Sequence, residues 1–173
     1  MQLGHSGRKG STQLGWQQMD HPLPSGNWPL LAPSPLPYFA GISQVPKEMH
    51  RADMDTVREE FARAARFAFE AGFDMLELHM AHGYLLGSFL SPLTNQRADD
   101  YGGDVRARLR YPLEVLAVVR SIWPRERPLS VRISANDWAE GGLSEDDLIG
   151  IAQSLKAAGA DLLDVSTGQT VPD

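Results

Sequence analysis

"EAGFDMLELH", residues 70–79, is echoed by "AAGADLLDVS", residues 157–166. Each copy runs from a helix end through an Ala-Gly joint and an aspartate into an apolar strand that carries one acid. Glycine stops the helix because it adopts the left-handed backbone without a Cβ clash. A helix-to-strand joint that recurs implies βα units, and such units lay their strands parallel in one sheet.

The neighbouring segments agree. Met54, Val57, Phe61, Ala64, Ala65 and Ala68 recur at three- and four-residue spacing over Arg51 to Glu70, with Arg58, Glu59, Arg63 and Arg66 on the other side, which predicts an amphipathic helix. "DMLELHM" at Asp74 to Met80 alternates as a strand. A second helix is predicted from Asp104, its cap, to Ile122, with Leu109, Leu113, Leu116 and Val119 inward and Pro112 bending its first turns. Leu129 to Ser134 reads as a strand. A third helix opens at Ser144, with Asp147 three residues on and Leu148, Ile151, Ala152 and Leu155 as its apolar face. Asp161 to Ser166 is the last strand, and "MQLGHSGRKG" begins with a short one.

Polar residues gather where strands end: Gln2 and His5, His79 and His82, Arg132 and Ser134, Ser166 and Thr167. That is the layout of a (β/α)8 barrel, whose chemistry sits at the C-terminal ends of its strands. Such a barrel takes about 250 residues, and this chain has 173. The expectation is an α/β fold, a partial (β/α)8 TIM barrel with about strands 3 to 6 and their helices. Residues 1–173 form one partial domain read as an interior fragment of a larger chain, with residues 11–46 a long Pro-rich loop. Seven prolines between Pro22 and Pro46 forbid a helix there and discourage a central strand. A connection this long is commonly functional.

Hydrophobic residues make up 42% and charged residues 22%, the balance of a soluble globular protein. The formal net charge of −6 argues against nucleic acid or an anionic membrane as partner. No stretch is apolar for long enough to span a bilayer. Without cysteine there is no disulfide, thiolate ligand or cysteine nucleophile, which suits a reducing, cytoplasmic setting.

Walker A, G-x-G-x-x-G, H-E-x-x-H and G-x-S-x-G patterns are all missing, and no lysine sits at a strand end to form a Schiff base. His79 and His82 remain, three apart at the end of a strand, with Tyr84 beyond. If the strand gives way to a turn beside Gly83, both imidazoles converge and can donate N–H bonds to one oxygen. Tyr84 is then a weak acid placed to give up a proton. Packed or surface histidines remain open as the bland alternative. A metal site would need further convergent ligands, so no metal residues are assigned.

"LHMAHGYLLGSFLSPLTNQRADDYGG" resembles the signature region of the Old Yellow Enzyme family, FMN-dependent ene-reductases and NAD(P)H:flavin oxidoreductases. "QLGHSGRKG" is similar to that family's third-strand motif, residues 45–74 to the following helix, and "PLSVRISANDWAEGG" to the fifth strand and its loop. The resemblance implies FMN as cofactor and NAD(P)H as reductant. It implies that Gln2 hydrogen-bonds the flavin's pyrimidine edge and that Arg132 sits near its N1 and O2 as a fixed cation. His79 and His82 would bind the electron-withdrawing oxygen of a small-molecule substrate, and Tyr84 would protonate the carbon alpha to it. For Arg132 the alternative is a barrel salt bridge with Asp164 or Glu77. Asn95, Arg97, Asp99, Tyr101, Gly102 and Gly103 read as loop-folding residues. Arg8 and Lys9 are expected to face phosphate or solvent.

A narrower likeness, over residues 10–38, is to the reductase-like domain of bifunctional salicylyl-CoA 5-hydroxylase and aminobenzoyl-CoA monooxygenase/reductase proteins. It implies an aromatic acyl-CoA substrate reduced as a dearomatised ring, and aromatic degradation as the setting. Met80 stands where the family has small residues, and His50 replaces its helix-capping threonine. The alternatives are a non-catalytic fragment or interaction module and a metal-dependent barrel hydrolase. The parent is expected to be a homo-oligomer, and the isolated chain to hold flavin weakly and be inactive.

Overall fold

In the computed structural model, which describes residues 1–172, four strands form one parallel sheet: β1 (Gln2–Leu3), β4 (Leu76–Met80), β5 (Leu129–Ser134) and β6 (Leu162–Ser166), in that spatial order. Between them run α1 (Arg51–Glu70), α2 (Leu85–Leu90), α3 (Val105–Ile122) and α4 (Glu145–Ala157). Consecutive parallel strands joined by helices are the expected βα units. The register pairs Gln2 with Glu77, His79 with Arg132, and Arg132 with Asp164.

The alternation of side chains divides the sheet into two faces. Leu76, Leu78, Met80, Leu129, Val131 and Ile133 point to the helices and are all but fully buried. Each such side chain stabilises the fold by roughly 1.5–3 kcal/mol relative to exposure. They pack on Phe61 and Ala65 of α1, Val115, Leu116 and Val119 of α3, and Ile151 and Leu155 of α4. Residues of the other parity, including Glu77, His79, Ser130, Arg132 and Asp164, share the opposite face.

The helix caps follow local chemistry. The Asp104 carboxylate accepts from the Ala107 N–H at 2.9 Å, and the Ser144 hydroxyl from the Asp147 N–H at 3.1 Å. At α1, Asp53 compensates for His50: its carboxylate accepts the His50 N–H at 2.8 Å and pairs with Lys47 at 2.8 Å. The faces are rotated slightly from expectation. Ala62 is buried where Ala64 is half-buried, and Tyr111 and Val115 are buried where Leu113 is half-buried. Pro112 stands inside an uninterrupted α3.

Three short elements, the β2–β3 pair and α2, escape the sequence reading. Within the Pro-rich segment, β2 (Leu31–Ala32) pairs in parallel with β3 (Lys47–Glu48), so residues 11–46 are not wholly loop. The six-residue α2 is too short for helical periodicity to register. Behind it, Asn95 and Arg97 fold the following loop as expected. Asn95 donates to the Phe89 and Tyr101 carbonyls, and Arg97 to those of Pro33 and Met49. No helix among the described residues is long and apolar enough to cross a membrane.

Candidate active site

The inner face of the sheet is built in polar layers. Gln2, Glu77 and Ser130 lie side by side in register. The Gln2 amide donates to Glu77 Oε1 at 2.7 Å and the Ser130 hydroxyl to Glu77 Oε2 at 2.8 Å, so both carboxylate oxygens are satisfied. Toward the C-terminal ends follow His79, Arg132 and Asp164. Gly4 belongs to this second layer: a methyl placed on it would lie 3.3 Å from His79 Cβ.

Arg132 donates to the Ser166 hydroxyl from Nε at 2.9 Å and from Nη2 at 2.7 Å, and its Nε lies 3.3 Å from Asp164 Oδ2. The salt-bridge alternative is therefore realised with Asp164 and not with Glu77. Among the described residues no partner takes Arg132 Nη1 or the Gln2 amide oxygen. The face thus presents a cationic donor and an acceptor beside a bare glycine, and the chemistry of this set fits the polar edge of a planar heterocycle such as FMN.

Past β4 the chain turns sharply, with His82 at φ 58° and Gly83 at φ 66°. A Cβ on Gly83 would lie 2.8 Å from the Thr170 carbonyl oxygen, so only glycine lets the loops after β4 and β6 approach this closely. The His82 N–H donates to Ser134 Oγ at 2.9 Å, which fixes the turn to β5. His79 and His82 do converge, with ring centroids 5.0 Å apart, and the Tyr84 ring lies 5.0 Å from that of His79. Tyr84 immediately precedes α2, whose first N–H, from Leu85, donates to the His5 carbonyl at 3.0 Å.

The expectation that both imidazoles donate to one external oxygen is modified by their mutual bond. The Ala81 N–H donates to His79 Nδ1 at 3.1 Å, so the proton of neutral His79 is on Nε2. That N–H faces His82 Nδ1 at 3.3 Å, which places the His82 proton on its own Nε2. Burial, then the neighbouring His82 and Arg132, push the pKa of His79 down to about 4. Burial, Arg132 and Lys9 lower that of His82 as well. The pair is neutral near pH 7, a donor that costs no buried charge.

Arg8 and Lys9 are directed at backbone carbonyls of the fold instead of at solvent. Arg8 is buried and donates to the carbonyls of Leu36, Pro37 and Thr170. Lys9 donates to those of His82 and Gln169, each at 3.2 Å. Burial lowers the pKa of both. Sequence reading gave Arg8 and Lys9 to phosphate or solvent, named Glu77 and Asp164 only as alternative partners of Arg132 and Ser166 only as a strand-end residue, and so placed none of the five in these contacts. Strand parity could have placed Glu77, Asp164 and Ser166 on this face, since Glu77 stands two residues from His79, Asp164 is in register with Arg132, and Ser166 stands two residues beyond Asp164. For Lys9 no local signal existed. Among the described residues no group of three or more metal-ligating side chains comes together.

The comparisons with known proteins agree with this geometry. Residues 1–172 match the model of the NADH:flavin oxidoreductase / NADH oxidase family. An NADPH dehydrogenase of Geobacillus sp. (strain WCH70) is 42% identical over 172 residues, which is 99% of this chain and 46% of that protein. The chain therefore spans about half the length of the curated relatives it matches. Among solved structures, 2-naphthoyl-CoA reductase in complex with 2-naphthoyl-CoA is 28% identical with a TM-score of 0.78, over 84% of this chain and 22% of that one. Morphinone reductase in complex with tetrahydroNAD is 29% identical with a TM-score of 0.66, over 80% of this chain and 42% of that one. The fold is accordingly part of the TIM barrel that the Old Yellow Enzymes share, and this chain belongs to the NADH:flavin oxidoreductase / NADH oxidase family, whose members bind FMN and use NAD(P)H.

Proposed function

We propose that this chain is the central part of an FMN-dependent NAD(P)H oxidoreductase of the ene-reductase type, acting on an activated alkene. The observation that carries the reading is the register pairing of His79 with Arg132. It sets the imidazole pair, the guanidinium and, through the turn after β4, the Tyr84 phenol on one face at one end of the sheet. When bound, FMN would supply hydride chemistry between NAD(P)H and the carbon beta to the activating carbonyl.

The residues divide the remaining work. Gln2 and Arg132 would hold the polar edge of the cofactor, where the guanidinium would favour negative charge. The outward N–H of His82, aligned by His79, binds and polarises the substrate oxygen. Tyr84 donates a proton from its hydroxyl to the alkene carbon alpha to the activating carbonyl, as hydride arrives at the beta carbon. His79 being neutral, the oxygen meets an N–H dipole and no acid strong enough to protonate it outright.

For the substrate we propose a dearomatised aromatic acyl-CoA. The sequence likeness over residues 10–38 and the structural likeness to 2-naphthoyl-CoA reductase support that class. The parent is read as a cytoplasmic homo-oligomer. The test is direct: the full-length protein should be yellow, bleach with NADH or NADPH, and be reoxidised by an activated alkene. A colourless protein that acquires no FMN on reconstitution would overturn the proposal.

A further inference from the structure

Two non-glycine residues in the loops after β4 and β6 hold left-handed backbones, His82 at φ 58° and Gln169 at φ 62°. Such conformations are costly and persist only where the surroundings hold them. Both residues direct their carbonyl oxygens at one atom, Lys9 Nζ, each at 3.2 Å. The same ammonium lies 4.3 Å from the ring centroid of Tyr38 and 5.2 Å from that of Tyr84. A cation between two aromatic faces is attracted to both, the more so when desolvated.

Lys9 thus touches three segments that share no secondary structure: the Pro-rich segment through Tyr38, the β4 turn through His82 and Tyr84, and the β6 loop through Gln169. Its neighbour Arg8 reinforces two of these ties, donating to Leu36 at 3.3 Å, Pro37 at 3.2 Å and Thr170 at 2.5 Å. The side chain itself is held from the opposite side. It leaves a single turn, Gly7–Lys9, whose Gly7 packs so closely on Leu85 that a Cβ there would lie 2.8 Å from the Leu85 nitrogen. The ammonium is therefore fixed relative to the start of α2, where Tyr84 sits.

We propose that Lys9 is a positioning residue for the Tyr84 phenol and the His82 imidazole, and that through Tyr38 it couples both to the Pro-rich segment. The proposal rests on the reductase reading above. Its consequence is that a segment outside the barrel's strands and helices controls the proton-donating half of the reaction and leaves the cofactor half alone. Gln2 and Arg132, which would face the cofactor, have no bond to Lys9.

The test compares Lys9→Met and Lys9→Arg in the full-length FMN-loaded protein, first without turnover. Amide exchange, followed by mass spectrometry, should quicken together in peptides covering residues 36–40, 81–85 and 168–170 of Lys9→Met, and Tyr38→Leu should quicken the same three. FMN content and the rate of flavin bleaching by NAD(P)H should stay within about twofold, while reoxidation by the alkene falls about ten- to a hundredfold, as small misplacements of reacting groups do. Lys9→Arg, which keeps the charge and the donors, should regain most of that loss. Faster exchange in only one of the segments, equal losses in both half-reactions, or an arginine variant no better than methionine would each overturn the positioning role. If the unmodified protein bleaches but passes nothing to any alkene, the reductase reading fails instead, while the exchange pattern still decides whether Lys9 couples the loops.

Discussion

Acidification from about pH 7 to about pH 5 should cost the fold about 2 kcal/mol through His79 alone. The side chain is only 8% exposed, sits beside His82 and Arg132, and titrates at about 4 when folded against an ordinary 6.5. The folded-state value is depressed, so this contribution is present in full above the unfolded value. As pH falls below 6.5 the unfolded chain takes up a proton that the folded chain refuses until about 4. Stability therefore drains away through that window and levels off beneath it. The shift is about 2.5 units, a limiting contribution on the order of 3 kcal/mol, most of which is lost by about pH 5. The assay is urea unfolding at the two pH values for the protein and for His79→Gln. His5 and His82, both lowered chiefly by burial, remain in each protein, so the difference between the two pH dependences isolates His79. A glutamine variant that loses as much stability on acidification as the unmodified protein would refute the assignment of a buried, neutral His79.

Four further outcomes are expected. Tyr84→Phe should slow alkene reduction about a hundredfold and leave flavin reduction by NAD(P)H nearly unchanged, measured as separate half-reactions by stopped flow; equal losses would remove Tyr84 as proton donor. Arg132→Met should weaken FMN binding about ten- to a hundredfold in a fluorescence titration, the worth of one charge-assisted hydrogen bond. Gly102→Ala should destabilise by about 3 kcal/mol, because the added methyl would meet the Arg97 carbonyl oxygen at 2.1 Å and that backbone cannot retreat; thermal unfolding checks it. Ser144→Ala should cost about 1 kcal/mol by removing the cap from α4, read from the same kind of melt.

Much of this molecule is local chemistry and so was legible beforehand. The Ala-Gly joints mark where helix gives way to strand, because glycine tolerates the backbone that ends a helix. The three- and four-residue spacing of Met54, Val57, Phe61, Ala65 and Ala68 marks α1 through to Glu70. The cap residues Asp104 and Ser144 mark where α3 and α4 begin. Strand-end polarity pointed to His79, His82 and Arg132 for the same reason: a polar side chain at a buried strand's C-terminal end is costly unless something uses it. The resemblance to a flavin family added roles to those positions.

What no local pattern holds is which side chain meets which across the chain. Amino-acid order places Lys9 and His82 far apart and gives neither a partner. Only the parallel register and the close approach of the β4 and β6 loops bring an ammonium to two carbonyls and two phenol rings. The choice of Asp164 over Glu77 as the partner of Arg132 was likewise a matter of strand pairing. The direction of the protons on the imidazole pair is by contrast a local matter, set by the Ala81 N–H two residues from His79 once the turn after β4 has formed. Periodicity and capping are carried by neighbours along the chain, so amino-acid order was enough to place the main helices and strands in succession. Charge pairing across the sheet depends on distances of a few ångströms between remote segments, and those existed only once the sheet had assembled.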